Sequence, residues 1–173
     1  LDFVNFKDKK GKTGFILACA HGNHSVIEFM VNSDLFSEET IISFLTTRNE
    51  DGRTGFMLAC MENHQEVVKV MLECPFSKKL ILENSLDLNF VNFKDKIGRT
   101  GFMYTCMPKK TKKDSIYILL DHELFSDADI FDFIMTKDND GHDSIDLTNL
   151  SIIKEKLQDI RDKHLKNQED QAK

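Results

Sequence analysis

The chain has 173 residues, 40% of them hydrophobic, and a formal net charge of -6. That length suits one domain or one short array, and the hydrophobic share allows a sizeable core built largely on fourteen Phe and no Trp. The acidic balance argues against a nucleic-acid surface, no window approaches the ~20 apolar residues of a membrane span, and only two Pro and eight Gly exclude a collagen-like or low-complexity chain.

In chain order, the first phrase is KDKKGKTGFILAC (7–19). Asp8 and Gly11 form an Asx-x-x-Gly turn, in which the carboxylate bonds the turn backbone and Gly accepts positive φ. Thr13 then suits a helix N-cap, and Phe15, Leu17, Ala18 and Cys19 begin a short helix. A second helix follows in NHSVIEFMV (23–31), with Val26, Ile27, Met30 and Val31 on one stripe. Phe36-Ser37 opens a long connection whose apolar residues Ile41, Ile42, Phe44 and Leu45 predict a short third helix capped by Ser37.

The same order returns with Asn49, Gly52, Thr54 and Phe56, then HQEVVKVMLE (64–73) with Val67, Val68, Met71 and Leu72, then Phe76-Ser77 before Leu80, Ile81 and Leu82. It returns again with Asp95, Gly98, Thr100 and Phe102, followed by the insertion PKKTKK (108–113). DSIYILLD (114–121) supplies the second helix of that copy through Ile116, Leu119 and Leu120. Phe125-Ser126 with the SDAD capping signal (126–129) then precedes Ile130, Phe131, Phe133 and Ile134. A worn fourth copy keeps Asp138 and Gly141 but has Asp143 in the Thr position. Its amphipathic helix (151–167) uses Ile152, Ile153, Leu157, Ile160 and Leu165, with the charged face expected of a terminal cap. The polar tail QEDQAK (168–173) is expected to fray. The turn glycines Gly11, Gly52, Gly98 and Gly141 are spaced by 41, 46 and 43 residues.

This phrase resembles the ankyrin repeat, D-x-x-G-x-T-P-L-H-x-A followed by about G-H-x-x-V-V-x-x-L-L. Asn49, Gly52, Thr54, Phe56, Ala59, His64, Val67, Val68, Met71 and Leu72 fall on it in the second copy. The first copy matches through Asp8, Gly11, Thr13, Phe15, Ala18, Gly22, Val26 and Ile27, and the third through Asp95, Gly98, Thr100, Phe102, Leu119 and Leu120. The resemblance implies an all-α solenoid of about four ankyrin-like repeats with hairpin-like turn tips, here with short extra helices in long connections. The units run about 1–46, 47–88, 89–136 and 137–167. The phrase departs from the family at Gly14, Gly55 and Gly101, where the family has Pro, and at Ile16, Met57 and Met103, where it has His. Phe stands in the Leu position, where it can refill the volume lost, and the family period of about 33 residues is exceeded. FVNFKDK at 3–9 recurs at 90–96, which suggests an array cut from a longer one.

No residue set of this sequence is assigned a catalytic, cofactor or metal role. Cys19, Cys60 and Cys106 share one slot of the phrase; units about 10 Å apart hold them too far apart for disulfides, so they read as buried apolar residues in a reducing, intracellular compartment, cytoplasmic or nuclear. His21 and His24 form half a metal site at most and read as loop residues. The 109–113 cluster reads as a solubilising loop tip, with a nuclear-import signal or anion loop as the alternative. For Asn5 and Asn92 the resemblance implies a target of asparaginyl hydroxylation, against the plainer reading that Asn suits the hairpin.

The resemblance places partner binding on the turn tips and the exposed side of the first helices. Those residues are Lys9, Lys10, Lys12, Ala20 and His21; Glu50, Asp51, Arg53, Met61 and Glu62; Lys96, Ile97, Arg99, Met107 and Pro108; and Asn139, Asp140 and His142. The expected function is therefore a non-enzymatic protein-interaction module, acting as a monomer on another protein. The alternative is a spacer or targeting array attached to a membrane, cytoskeletal or catalytic domain.

Overall fold

The backbone organisation begins at four turns with the same hydrogen bonding. In the computed structural model, which describes residues 5–82, 90–107 and 114–171, Asp8, Asn49, Asp95 and Asp138 each accept, through one side-chain oxygen, from the N–H groups two and four residues on. The backbone closes each turn as well, for example by Asp95 N–H to the Arg99 carbonyl at 2.9 Å. The glycine three residues after each Asx lies at φ 70°, 79°, 81° or 85°, the left-handed region that side chains with a Cβ rarely occupy.

Eleven helices form among the described residues. The first three units give α1 (Gly14–Ala20), α2 (His24–Asn32) and α3 (Glu38–Thr46); α4 (Gly55–Met61), α5 (Gln65–Glu73) and α6 (Pro75–Leu82); and α7 (Gly101–Cys106), α8 (Asp114–Asp121) and α9 (Asp127–Met135). The chain closes with α10 (Ser144–Leu147) and α11 (Ser151–Gln171). Thr13, Thr54 and Thr100 cap α1, α4 and α7 by accepting from Ile16, Met57 and Met103 N–H, each at 3.3 Å. The Thr caps therefore hold without the family's His, and the residues in its place are fully buried.

The first helices stack as a row, α1 on α4 on α7 on α10, with α2, α5 and α8 as a second row. The long connections are helical, as their apolar runs predict, and α3 and α9 dock on the first helices through aromatic rings. Phe44 stacks on Phe15 at 5.4 Å, and Phe133 lies 5.7 Å from Phe102. Ile41, Phe44 and Leu45 of α3, Leu80 and Ile81 of α6, and Ile130, Phe133 and Ile134 of α9 are buried.

Four expectations are corrected by the fold. Ser37 and Ser126 cap α3 and α9, the latter with a full capping box, but Ser77 lies inside α6. Pro75 has the backbone angle of a first helical residue, so α6 starts earlier and Cys74 takes the cap position, its Sγ accepting from Ser77 N–H at 3.3 Å. In α11, Ile153 and Leu157 are buried and Ile160 is partly so, at i, i+4 and i+7, while Ile152 is 72% exposed and Leu165 is exposed. That helix also continues through Gln171, so most of the expected fraying tail is helical, with His164 and Gln168 hydrogen-bonded one turn apart. In α2, Ile27 and Val31 are buried but Val26 is exposed.

The basic cluster 109–113, Pro108, the side chain of Leu82 and the Phe3–Val4 start of the recurring phrase lie outside the described residues.

Candidate protein-interaction surface

The turn tips are joined to one another by backbone. Glu50 N–H donates to the Lys10 carbonyl, Lys96 N–H to Asp51 and Asn139 N–H to Ile97, each at 3.0 Å. The residue before each turn adds a parallel row. Lys7 Nζ donates to the Arg48 carbonyl at 3.4 Å, Arg48 Nη1 to Lys94 at 2.9 Å and Lys94 Nζ to Lys137 at 2.9 Å. These repeated bonds fix the relative positions of side chains that come from residues some forty apart in sequence.

On that edge Lys9, Lys10, Glu50, Asp51, Lys96, Ile97, Asn139, Asp140 and His142 are exposed, and Lys12 is half-buried. The charge alternates along it: basic at the first tip, acidic at the second, basic beside apolar Ile97 at the third. His21 is exposed at the end of α1, with Nδ1 2.8 Å from the Leu17 carbonyl. Ala20, Met61, Glu62 and Met107 are half-buried at the first-helix ends. Hence the structure brings most of the expected residues to one edge.

Arg53 and Arg99 differ from the rest because they hold neighbouring units together. Arg53 Nε lies 3.2 Å from Asp95 Oδ2 and donates to Tyr104 Oη at 3.0 Å. Arg99 Nε repeats the contact on Asp138 Oδ2 at 3.1 Å. Both aspartate side chains are 1% exposed, so these are partly desolvated pairs in which losing the cation leaves a buried charge. Burial opposes the charged form of Asp138, but the His142 N–H, the Arg99 guanidinium and the Asp140 N–H outweigh it and hold its pKa below the ordinary 3.8.

Sequence reasoning missed Tyr104, which donates its hydroxyl to Asp95 and lies beneath the Arg53 guanidinium at 5.4 Å. A signal existed: Arg53 and Arg99 are each followed, one unit on, by an Asp turn, whereas Lys12 is followed by Asn49. Among the described residues, Asp138, Asp140 and His142 are the one group whose ligand atoms converge on metal-binding distances. Asp138 there already accepts from two backbone N–H groups and Arg99. His21 and His24 belong to no such group. The four cysteines are buried and not joined in disulfides, and burial raises the pKa of Cys19 and Cys60, in keeping with packing residues. No described helix is long and apolar enough to cross a membrane.

Comparison with known proteins agrees with this architecture. A family model described as Ankyrin repeats (3 copies) matches residues 2–84. No curated protein sequence matches. Among solved structures, the crystal structure of EF0377, an ankyrin repeat protein, is similar with a TM-score of 0.61 at 15% identity. The likeness covers 92% of this chain and 66% of that one, so this chain spans just under two thirds of that protein's length. The family match makes residues 2–84 an ankyrin-repeat segment, and the likeness to that solved structure shows the same fold over nearly the whole length.

Proposed function

We infer that this array is a non-catalytic module that binds another protein along its turn-tip edge. Ankyrin repeats are in general protein-interaction modules. The observation that carries the reading is the continuous hydrogen bonding from tip to tip, which holds Lys9, Lys10, Glu50, Asp51, Lys96 and Ile97 in a fixed pattern. A surface ordered before binding loses little conformational entropy on association. Its alternating charge selects a partner with the complementary order, acidic groups facing the first and third tips and basic groups facing the second. The working unit is a monomeric single array of four repeats, the last ending with α11 rather than at residue 167. Four buried cysteines without disulfides suit a reducing intracellular compartment.

The test is affinity capture followed by measurement of a recovered partner's affinity for the purified chain. Lys9→Glu, Lys10→Glu and Lys96→Glu together should weaken it by at least tenfold while leaving the urea midpoint near that of the parent. Undiminished affinity in that variant would exclude the tip edge. Arg53 and Arg99 are unsuitable probes, because their substitution loosens the array itself.

A further inference from the structure

The flank of the first unit that faces away from the second has the same residues as the internal junctions, but uncovered. Four equivalent positions show this. At Gly55, a Cβ would lie 2.7 Å from Cys19 Sγ and 3.3 Å from Phe15 Cδ1, both in the preceding unit. At Gly101 it would lie 2.6 Å from Phe56 Cε1, again in the preceding unit. Around Gly14, the corresponding position has no neighbour within 4 Å among the described residues. Val67 is 0% exposed where α5 meets α2, and its counterpart Val26 is 47% exposed. Phe93 is 9% exposed beneath the Arg48 guanidinium at 4.3 Å, and its counterpart Phe6 is 74% exposed. Phe29, one turn on from Val26, is 56% exposed.

We propose that this flank, centred on Gly14, Val26 and Phe6, is a stacking interface for one more ankyrin-type unit on the N-terminal side of the same polypeptide. The chemistry of that unit follows from the empty positions. Its first helix presents a large ring and a small apolar side chain to Gly14, as Phe56 and Cys60 do to Gly101. Its turn carries an Arg or Lys that covers Phe6 and donates to the Lys7 carbonyl, as Arg48 does to Phe93 and Lys94. The recurring phrase supports a unit in the same chain. Residues 90–96 are the stretch that joins the third unit to its predecessor: Phe90 is buried edge-on against Phe56 at 5.2 Å, and Phe93 lies under Arg48. Residues 3–9 carry that sequence unchanged.

The identity of the two stretches gives a test. Joining a duplicate of residues 47–89 directly ahead of Phe3 recreates the sequence of an internal junction without alteration. The extended chain should unfold in one transition, with a higher urea midpoint and a larger dependence on urea, since more surface is buried cooperatively. Gly14→Ala is the discriminating variant. It should be harmless or slightly stabilising in the parent chain, where the added methyl meets open space, and should lower the midpoint of the extended chain. Two separate transitions, or the same effect of Gly14→Ala in both chains, would overturn the proposal. So would sedimentation showing that the parent and extended chains both dimerise and that Val26→Arg returns both to monomers, because a second copy would then occupy the flank.

Discussion

The ring of Phe56 fills the space that a side chain on Gly101 would need, with Cε1 2.6 Å from the ideal Cβ position there. Cys19 and Phe15 crowd Gly55 in the same way one unit earlier. Two departures from the family phrase, Phe in the Leu position and Gly in the Pro position, are thus two sides of one contact between successive units. The larger ring crosses the junction, and the residue facing it loses its side chain.

This coupling predicts a conditional effect. Gly101→Ala should destabilise the chain by about 1–3 kcal/mol, as overpacking of a filled core does. Combined with Phe56→Leu, which retracts the ring, the same change should cost much less. Urea unfolding of the two single variants and the double variant measures the coupling; equal costs in both backgrounds would reject it.

Phe56 is fully buried between its own repeat, Phe90 and Gly101. Phe56→Ala should therefore cost about 3–5 kcal/mol, read from the urea midpoint. Cys60→Ala, which removes a smaller group from the same row, should cost less.

Tyr104 should titrate late. Burial, then its hydrogen bond to Asp95, pushes its pKa up to about 12 from the ordinary 10.0. A folded-state pKa above the unfolded one means that this contribution to stability is complete below pH 10 and is lost as pH rises through 12. Tyr117 is the other tyrosine, so phenolate absorbance in a Tyr117→Phe variant reports Tyr104 directly. A midpoint near 10 in the folded protein would contradict the buried Arg53–Tyr104–Asp95 network.

Asp138 should lend stability in the opposite direction of pH. Its folded pKa lies below 3.8, so its contribution is present above that value and disappears as pH falls through the folded pKa. Asp138→Asn keeps the turn, as Asn49 shows by making the same two backbone bonds, but loses the charge facing Arg99. The difference in urea midpoint between parent and variant should be largest near neutrality and shrink at low pH. A difference independent of pH would mean that the ion pair contributes nothing.

The thiols Cys19 and Cys60 should resist alkylation in the native protein. Burial raises both pKa values, so thiolate is scarce and reagent access is blocked. Labelling followed by peptide mass mapping should show modification appearing only with unfolding. Rapid native labelling would place these residues outside the core.

Much of the fold is legible along the chain because its determinants act over four residues or fewer. Asp8, Asn49, Asp95 and Asp138 make their turns with backbone two and four residues away. Thr13, Thr54 and Thr100 cap helices three residues on. The third helices are announced by their apolar runs and, at α3 and α9, by Ser caps. Even the misplaced cap at Ser77 had a local sign in Pro75, which begins the helix early. The candidate surface was legible in outline, since being at a turn tip is a local property, but not in the assignment of Arg53 and Arg99.

From the order of residues, then, come the turns, the caps, the kinds of helix and the number of times the unit recurs, because each depends on a side chain and nearby backbone. Only the folded array decides that Arg53 and Arg99 are clamps rather than free contacts, that Tyr104 is buried while Ile152 and Val26 are exposed, and that Gly55 and Gly101 must lack side chains. Those outcomes depend on which atoms meet across a junction, and the residues that meet there lie roughly forty positions apart, beyond the reach of any local pattern.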